Sequence, residues 1–262
     1  MPALDILLFT VDTALARRAV AAGVAGFVVD WEDRRAGAER AACDNGVAPD
    51  TVDDLGRIAA VGGGQVLCRI NPAGPSTPDE VELALANGAT ALLVPMVECP
   101  GDLERVRELA RDRVPVGAMI ETDEACRNAS EIARVEPAFV YVGLLDLAIG
   151  RHEGNVFRPF ADGTADRLRD HFAGIPFGIG GVTVADKGAP VPCPVLLGEV
   201  ARLRGDFVFA RRSYLRDTVG RDLVQEGARL RTLWCELLAR DSARIERDHE
   251  EFARRFGQSW AR

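Results

Sequence analysis

Eight short apolar runs, helix-like stretches alternating with them, and a length of 262 residues predict a single (β/α)8 barrel with an extended C-terminal helix. The runs are nearly continuous in apolar residues, as strands of a parallel sheet are when both faces are covered. A doubly wound open sheet uses the same alternation. Eight units in about 250 residues fit the barrel better.

The first run, LDILLFTV (4–11), leads into TALARRAVAAG, which opens on Thr13 as a helix start. GFVVDW (26–31) is second, and DTVDDLGRIAAVG (50–62) supplies the following helical pattern behind an Asp-Thr start. QVLCRI (65–70) precedes TPDEVELALANG, with Pro78 near its first turn, and ALLVPMV (91–97) precedes CPGDLERVRELARDR, with Pro100 in that role. PVGAMIE (115–121) and AFVYVG (138–143) flank DEACRNASEIARV, predicted as one helix over 123–135. TADRLRDHFAG (164–174), IPFGIG (175–180), CPVLLGEVARLR (193–204) and GDFVFA (205–210) complete the alternation. From 220 to 256, Leu223, Leu230, Leu233, Trp234, Leu237, Leu238 and Ile245 recur at helical spacing. That stretch exceeds one barrel helix, and it reads either as helix eight plus a charged tail or as a helix that packs on a neighbouring subunit. No repeat and no Pro/Ser-rich linker divides residues 1–262 into two domains.

A net charge of −8 argues against nucleic acid or an anionic membrane as the main partner, because both are bound through clustered cations. A small molecule is expected instead. Six cysteines without CxxC or zinc-ligand spacing, and no signal or transmembrane stretch, read as reduced thiols in a cytoplasmic protein. Lys187 is the sole lysine and lies in the loop ADKGAPVP. A Schiff base needs a buried lysine on a strand, so imine chemistry is not expected.

In a barrel the polar residues that end strands or open the following loops carry the chemistry. Those are Asp30, Glu32, Asp33, Arg69, Asn71, Glu98, Glu121, Thr122, Asp146, Thr183, Arg211 and Arg212. Arg69, in RINP, can hold a carboxylate or an oxyanion, or it can pair with the nearby acids to steady the rim. Glu121 and Asp146, ending neighbouring strands, can give protein oxygens to Mg2+ or Mn2+, or they can be two exposed rim acids. Three close carboxylates in DWED call for a cation or donors among them. GIGGVT (178–183) offers Gly180, Gly181 and Thr183 as pocket lining. Arg211 and Arg212 could face an anionic tail or a subunit contact. None of the three histidines ends a strand, and only His152, after the Asp146 loop, is a secondary candidate for proton transfer.

VVDWED, RINP, VPMVE, AMIET and VGLLDL, in this order over roughly residues 20 to 150, resemble the HpcH/HpaI aldolase and citrate lyase beta-subunit family of the phosphoenolpyruvate/pyruvate barrel superfamily. The resemblance implies a metal held by Glu121 and Asp146, and Arg69 on a 2-oxo acid or its enolate oxygen. It further implies that backbone N–H groups around Leu145 and Asp146 hold the substrate carboxylate. In the aldolase branch the stretch matching DWED ends in a histidine that acts through water as base. Here Asp33 stands in its place, which resembles the DxED of the citrate-lyase-like branch, whereas VPMV resembles the aldolase branch. The resemblance thus implies a Mg2+- or Mn2+-dependent carbon–carbon lyase or aldolase working through an enolate of a pyruvate- or oxaloacetate-like acid. Asp30, Glu32 and Asp33 would line the metal-water network and orient Arg69, with Asp33 or Glu32 relaying the proton; from their strand-end positions, Thr183 and Arg212 are expected in the substrate site. A homo-oligomer is expected. Two other functions use the same barrel: a metal-dependent thioester or ester hydrolase, and a silent acid-binding subunit.

Overall fold

The computed structural model describes residues 4–33, 49–211 and 213–259. Eight parallel strands close in sequence order: β1 (Asp5–Phe9), β2 (Gly26–Asp30), β3 (Gln65–Arg69), β4 (Ala91–Val94), β5 (Val116–Ile120), β6 (Val140–Val142), β7 (Phe177–Val182) and β8 (Phe207–Ala210). Closure comes from β8 pairing with β1, Asp5 opposite Phe207. Each predicted run holds one strand, β7 continuing two residues past its run to Val182, and the barrel is therefore the predicted one.

Strand alternation splits the apolar residues into two cores. Residues such as Val66, Cys68, Val116, Ala118 and Ile120 point outward to the helices, while Val28, Leu67, Leu93, Met119, Tyr141, Phe207 and Phe209 fill the barrel. The interior is aromatic near its mouth: Tyr141 stacks on Phe209 with ring centroids 3.8 Å apart, and Phe9 meets Phe209 edge-on at 5.2 Å. Small residues make room for these rings. A Cβ on Gly178 would stand 2.4 Å from the Phe207 ring, so that position admits glycine alone. The same period of two decides which polar residues face inward. Counting on from Val28, Leu67 and Met119 puts Asp30, Arg69 and Glu121 on the inner face at the C-terminal end.

The helices are α1 (Thr13–Ala21), α2 (Val52–Ala59), α3 (Thr77–Ala86), α4 (Pro100–Ala110), α5 (Asp123–Arg127), α6 (Ala129–Arg134), α7 (Leu144–Gly150), α8 (Thr164–His171), α9 (Cys193–Arg202), α10 (Ser213–Asp217), α11 (Leu223–Leu238) and α12 (Ser242–Phe256). Their starts follow the sequence signals: Asp12 caps α1, and Thr51 with Asp54 forms a capping box on α2. The single helix expected over 123–135 is broken at Asn128, whose side-chain amide donates to the Glu98 carbonyl at 2.8 Å and to Glu124 at 3.0 Å. An amide side chain that bonds locally competes with the helix ladder.

The C-terminal stretch also differs from one long helix. It turns at residues 239–241, where Arg240 donates to the Gly198 carbonyl at 2.7 Å and pairs with Asp248 at 2.9 Å, and Asp241 caps α12. Helix α11 packs against α1 and α9 as the eighth barrel helix, and α12 folds back on α9. Phe252 is fully buried beside Phe160, their rings 5.9 Å apart. Phe252→Ala should therefore destabilise the protein by about 3–5 kcal/mol in urea unfolding. No helix among the described residues is long and apolar enough to cross a membrane.

Candidate active site

Asp30 and Arg69 lie opposite each other across β2 and β3. Asp30 accepts from Arg69 Nε at 2.7 Å and from Nη2, a bidentate grip that fixes the plane of the guanidinium. Glu32 Oε2 stands 3.2 Å from Nη1, Met119 Sδ 3.7 Å from the same nitrogen, and the Phe9 ring packs at 5.6 Å. Burial alone would lower the Arg69 pKa. The charge and hydrogen bonds of Asp30, then the charges of Glu32 and Glu121, outweigh it and hold the pKa above the ordinary value. The three carboxylates of DWED thus do not share one role. Asp30 and Glu32 face Arg69, and Asp33 is exposed at the rim with its backbone N–H on Asn71 Oδ1 at 2.9 Å.

Glu121, the residue after β5, is buried. Its Oε1 accepts from the Met96 backbone N–H at 2.9 Å, which requires Met96 to turn into the left-handed region at φ 53°. Such a conformation is costly for a residue with a side chain and is kept where the surroundings impose it. Its Oε2 is buried with no hydrogen-bond partner. Gly143, which caps α7, leaves the space for that oxygen, since a Cβ there would stand 2.3 Å from Oε2. Asp146 follows in the first turn of α7, also buried. Burial first, then the charges of Asp146 and Glu32, push the Glu121 pKa up to about 8.

Two buried carboxylates repelling one another, one with an orphaned oxygen in a glycine-shaped cradle, fit a divalent cation. Among the described residues no three His, Cys, Asp or Glu side chains form a complete metal-binding group. Mg2+ is bound through one or two carboxylates, with water and substrate completing the octahedron, so a two-carboxylate set fits it. Gly143→Ala should displace the Glu121 carboxylate and weaken Mn2+ binding by at least about tenfold in electron paramagnetic resonance titrations, with the circular dichroism of the fold retained.

The metal-free protein should also show a distinctive pH dependence. A carboxyl whose folded pKa lies near 8 rather than 4.5 binds more protons folded than unfolded between those values. Stability in chelator should therefore fall as pH rises from about 5 to about 8, and Glu121→Gln should flatten that fall. Thermal melts at several pH values measure both.

The other predicted residues are placed as follows. Leu145 is half-buried in the first turn of α7. Thr183 is buried after β7, its hydroxyl donating to Asp217 at 2.7 Å. Arg211 binds the Gly181 and Val191 carbonyls, each at 3.0 Å, while Arg212 lies outside the described residues. Glu98 is exposed, and Thr122 accepts from the Ala125 N–H as the cap of α5. His152 is exposed.

Two neighbours of the site lie outside the strand-end rule. Asp50 accepts from the Asp30 N–H at 2.8 Å, and burial raises its pKa. It lies 20 residues downstream, where nothing but the fold joins the two. Tyr141, whose hydroxyl donates to the Gly180 carbonyl at 2.6 Å, sits beside Arg69 and Glu121 electrostatically. Inward parity on β6 could have found it.

The family described as HpcH/HpaI aldolase/citrate lyase matches residues 7–153, more than half of the chain. No curated protein sequence gives a significant match. Among solved structures, an HpcH/HpaI aldolase from Desulfitobacterium hafniense DCB-2 superposes with a TM-score of 0.66 at 16% identity, over 87% of this chain and 92% of that one. The citrate synthase SbnG gives a TM-score of 0.63 at 15% identity, covering 87% and 94%. An HpcH/HpaI aldolase/citrate lyase family protein from Burkholderia cenocepacia J2315 gives 0.60 at 18%, covering 90% and 95%. At these identities the superpositions speak for the fold.

Proposed function

We propose a specific chemistry for this chain, which belongs to the HpcH/HpaI aldolase/citrate lyase family: a divalent-metal-dependent carbon–carbon lyase or aldolase acting through the enolate of a small 2-oxo acid. The observation that carries the reading is the buried, unpartnered Glu121 oxygen beside Asp146, on the same end of the barrel as the Arg69 cation.

In this reading Glu121 and Asp146 hold Mg2+ or Mn2+, which when bound supplies a Lewis acid for the 2-oxo acid oxygens. Arg69 stabilises the negative charge that develops on the enolate oxygen as the carbon–carbon bond breaks. It is suited to this because Asp30 and Glu32 already fix its plane, so little reorganisation accompanies the reaction. Backbone N–H groups of Leu145 and Asp146, in the first turn of α7, receive the substrate carboxylate. The Phe9, Met119, Tyr141 and Phe209 side chains form the apolar floor and exclude water from below. Asp33, exposed at the rim next to the Asp30–Arg69 pair, relays the proton between water and substrate. Half-buried Asp30 and buried Glu32 are committed to the arginine and act as positioning residues.

Product analysis tests the reaction class. With Mg2+ or Mn2+, a 4-hydroxy-2-oxo acid should yield pyruvate and an aldehyde in equal amounts, with both lost in chelator. A thioester or ester hydrolysed to a free acid, with no carbonyl fragment, would replace this reading with the hydrolase.

A further inference from the structure

The chain leaves β2 along the exit of β3, and each backbone N–H on the way is accepted in turn. The Trp31 N–H donates to the Arg69 carbonyl at 2.9 Å, the Glu32 N–H to Asp30 Oδ1 at 3.2 Å, and the Asp33 N–H to Asn71 Oδ1 at 2.9 Å. The first two acceptors belong to residues with a role at the site. The third belongs to Asn71, two residues after Arg69, which takes no part in the chemistry above.

Asn71 is itself held from α3. Its backbone N–H donates to Glu80 Oε2 at 2.9 Å and its side-chain Nδ2 to Glu80 Oε1 at 3.0 Å, an oxygen that also accepts from the Ser76 hydroxyl at 2.7 Å. Bracing the loop between β3 and α3 needs only the backbone bond and Ser76. The bond to Nδ2 adds an orientation. A carboxylate accepts and does not donate, so Glu80 takes the NH2 end of the amide and leaves the carbonyl end, Oδ1, to face the Asp33 N–H.

This matters at Asp33 because the strand no longer holds it. The last ladder pair of β2 and β3 is Asp30 with Arg69, and Asp33 lies three residues further on, exposed. A misplacement of about 1 Å can cost a reacting group about a hundredfold in rate. Beyond the ladder, such placement has to come from local bonds.

We propose that Asn71 and Glu80 are positioning residues for proton transfer: Glu80 sets the amide of Asn71, and Asn71 sets the backbone from which the Asp33 carboxylate projects. The inference rests on the enolate reading. There the pyruvate methyl group gives a proton through water to Asp33, the C–H electron pair becomes the enolate double bond, and the carbonyl pair moves to the oxygen that faces Arg69.

Two reactions that reach the same enolate separate the relay from the rest of the site. Deuterium exchange at the pyruvate methyl group requires a proton to leave carbon. Decarboxylation of oxaloacetate reaches the enolate by losing CO2, the electron pair of the broken C–C bond becoming the double bond, and no proton is removed. With Mg2+ or Mn2+, the ratio of exchange kcat to decarboxylation kcat should fall by about tenfold to a hundredfold in Asn71→Ala and in Glu80→Gln, with the loss in kcat rather than in KM. Glu80→Gln keeps the size of its side chain and gives the same reading should Asn71→Ala not fold. Asn71→Asp sets a second carboxylate against Glu80 and should lower the ratio too; combined with Glu80→Gln, whose amide can donate where Asn71 did, it should recover most of it. Asn71→Ala added to Asp33→Asn should slow exchange no further, because a residue that acts through Asp33 then has nothing to place.

A ratio left intact by Asn71→Ala and Glu80→Gln, or further loss in the Asp33→Asn background, overturns the positioning role while the enolate reading stands. Decarboxylation without exchange in the unmodified protein does the same, since the relay then carries no proton from carbon. An unmodified protein that catalyses neither reaction overturns the enolate reading and this inference with it.

Discussion

Replacing Glu121 by Gln is expected to reduce metal-dependent turnover by at least about 10³-fold, and Asp146→Asn to do the same, with both variants folded. The Glu121 carboxylate is in the wrong place for stability. Glu121 is buried, its Oε2 has no hydrogen-bond partner, and its neighbours Asp146 and Glu32 repel it. A structural carboxylate is normally paired when buried, and removing it leaves a partner stranded. Here Gln can keep the bond from Met96 while removing a charge that Arg69 offsets only in part in the metal-free protein. Loss of activity should therefore accompany equal or higher stability at pH 8 in chelator. Metal titration and thermal melts on the same samples check both signs, and full activity in either variant contradicts the metal assignment.

The second large effect is expected at Arg69. Arg69→Ala should abolish enolate formation and also lower stability by about 3–5 kcal/mol, because Glu32, and to a lesser extent Asp30, are left as uncompensated charges. Arg69→Lys separates the two consequences. Lysine retains the charge but not the planar fork that Asp30 grips from two nitrogens. The lysine variant should hold most of the stability while enolate formation falls by about 10²–10³-fold, the range seen when one oxyanion donor is removed. Urea unfolding gives the first quantity and solvent deuterium exchange the second. An Arg69→Ala protein with normal exchange would confine the arginine to steadying the rim.

Much of this molecule is legible in its sequence for one reason: strands covered on both faces are written as continuous apolar runs, and the first polar residue after each run sits at the barrel mouth. That rule points to Arg69 and Glu121, which the fold places at the barrel mouth, and to Asp146, which was expected to end β6 and lies instead in the first turn of α7. It could not find what depends on chain segments meeting. Gly143 reads as an ordinary turn glycine until its missing Cβ is seen to make room for the Glu121 oxygen. Met96 carries no mark of the left-handed turn that aims its N–H at Glu121. In DWED, three adjacent acids look equivalent, yet alternation and burial give Asp30 and Glu32 to Arg69 and leave Asp33 at the rim. The periodicity of 220–256 runs through the turn at Arg240, because side-chain pattern registers the apolar face and not the carbonyl of Gly198 that captures the arginine.

The central claim is that this barrel forms an enolate with Arg69 as the oxyanion partner, at a site where Glu121 and Asp146 would hold a divalent metal that supplies Lewis acidity. Deuterium exchange into the methyl group of pyruvate, followed by NMR with Mg2+, with Mn2+ and with chelator, tests it most directly. The account predicts exchange that requires the metal and disappears in Glu121→Gln. Exchange that persists unchanged in chelator, or its absence from a protein shown to bind both metal and pyruvate, would contradict it.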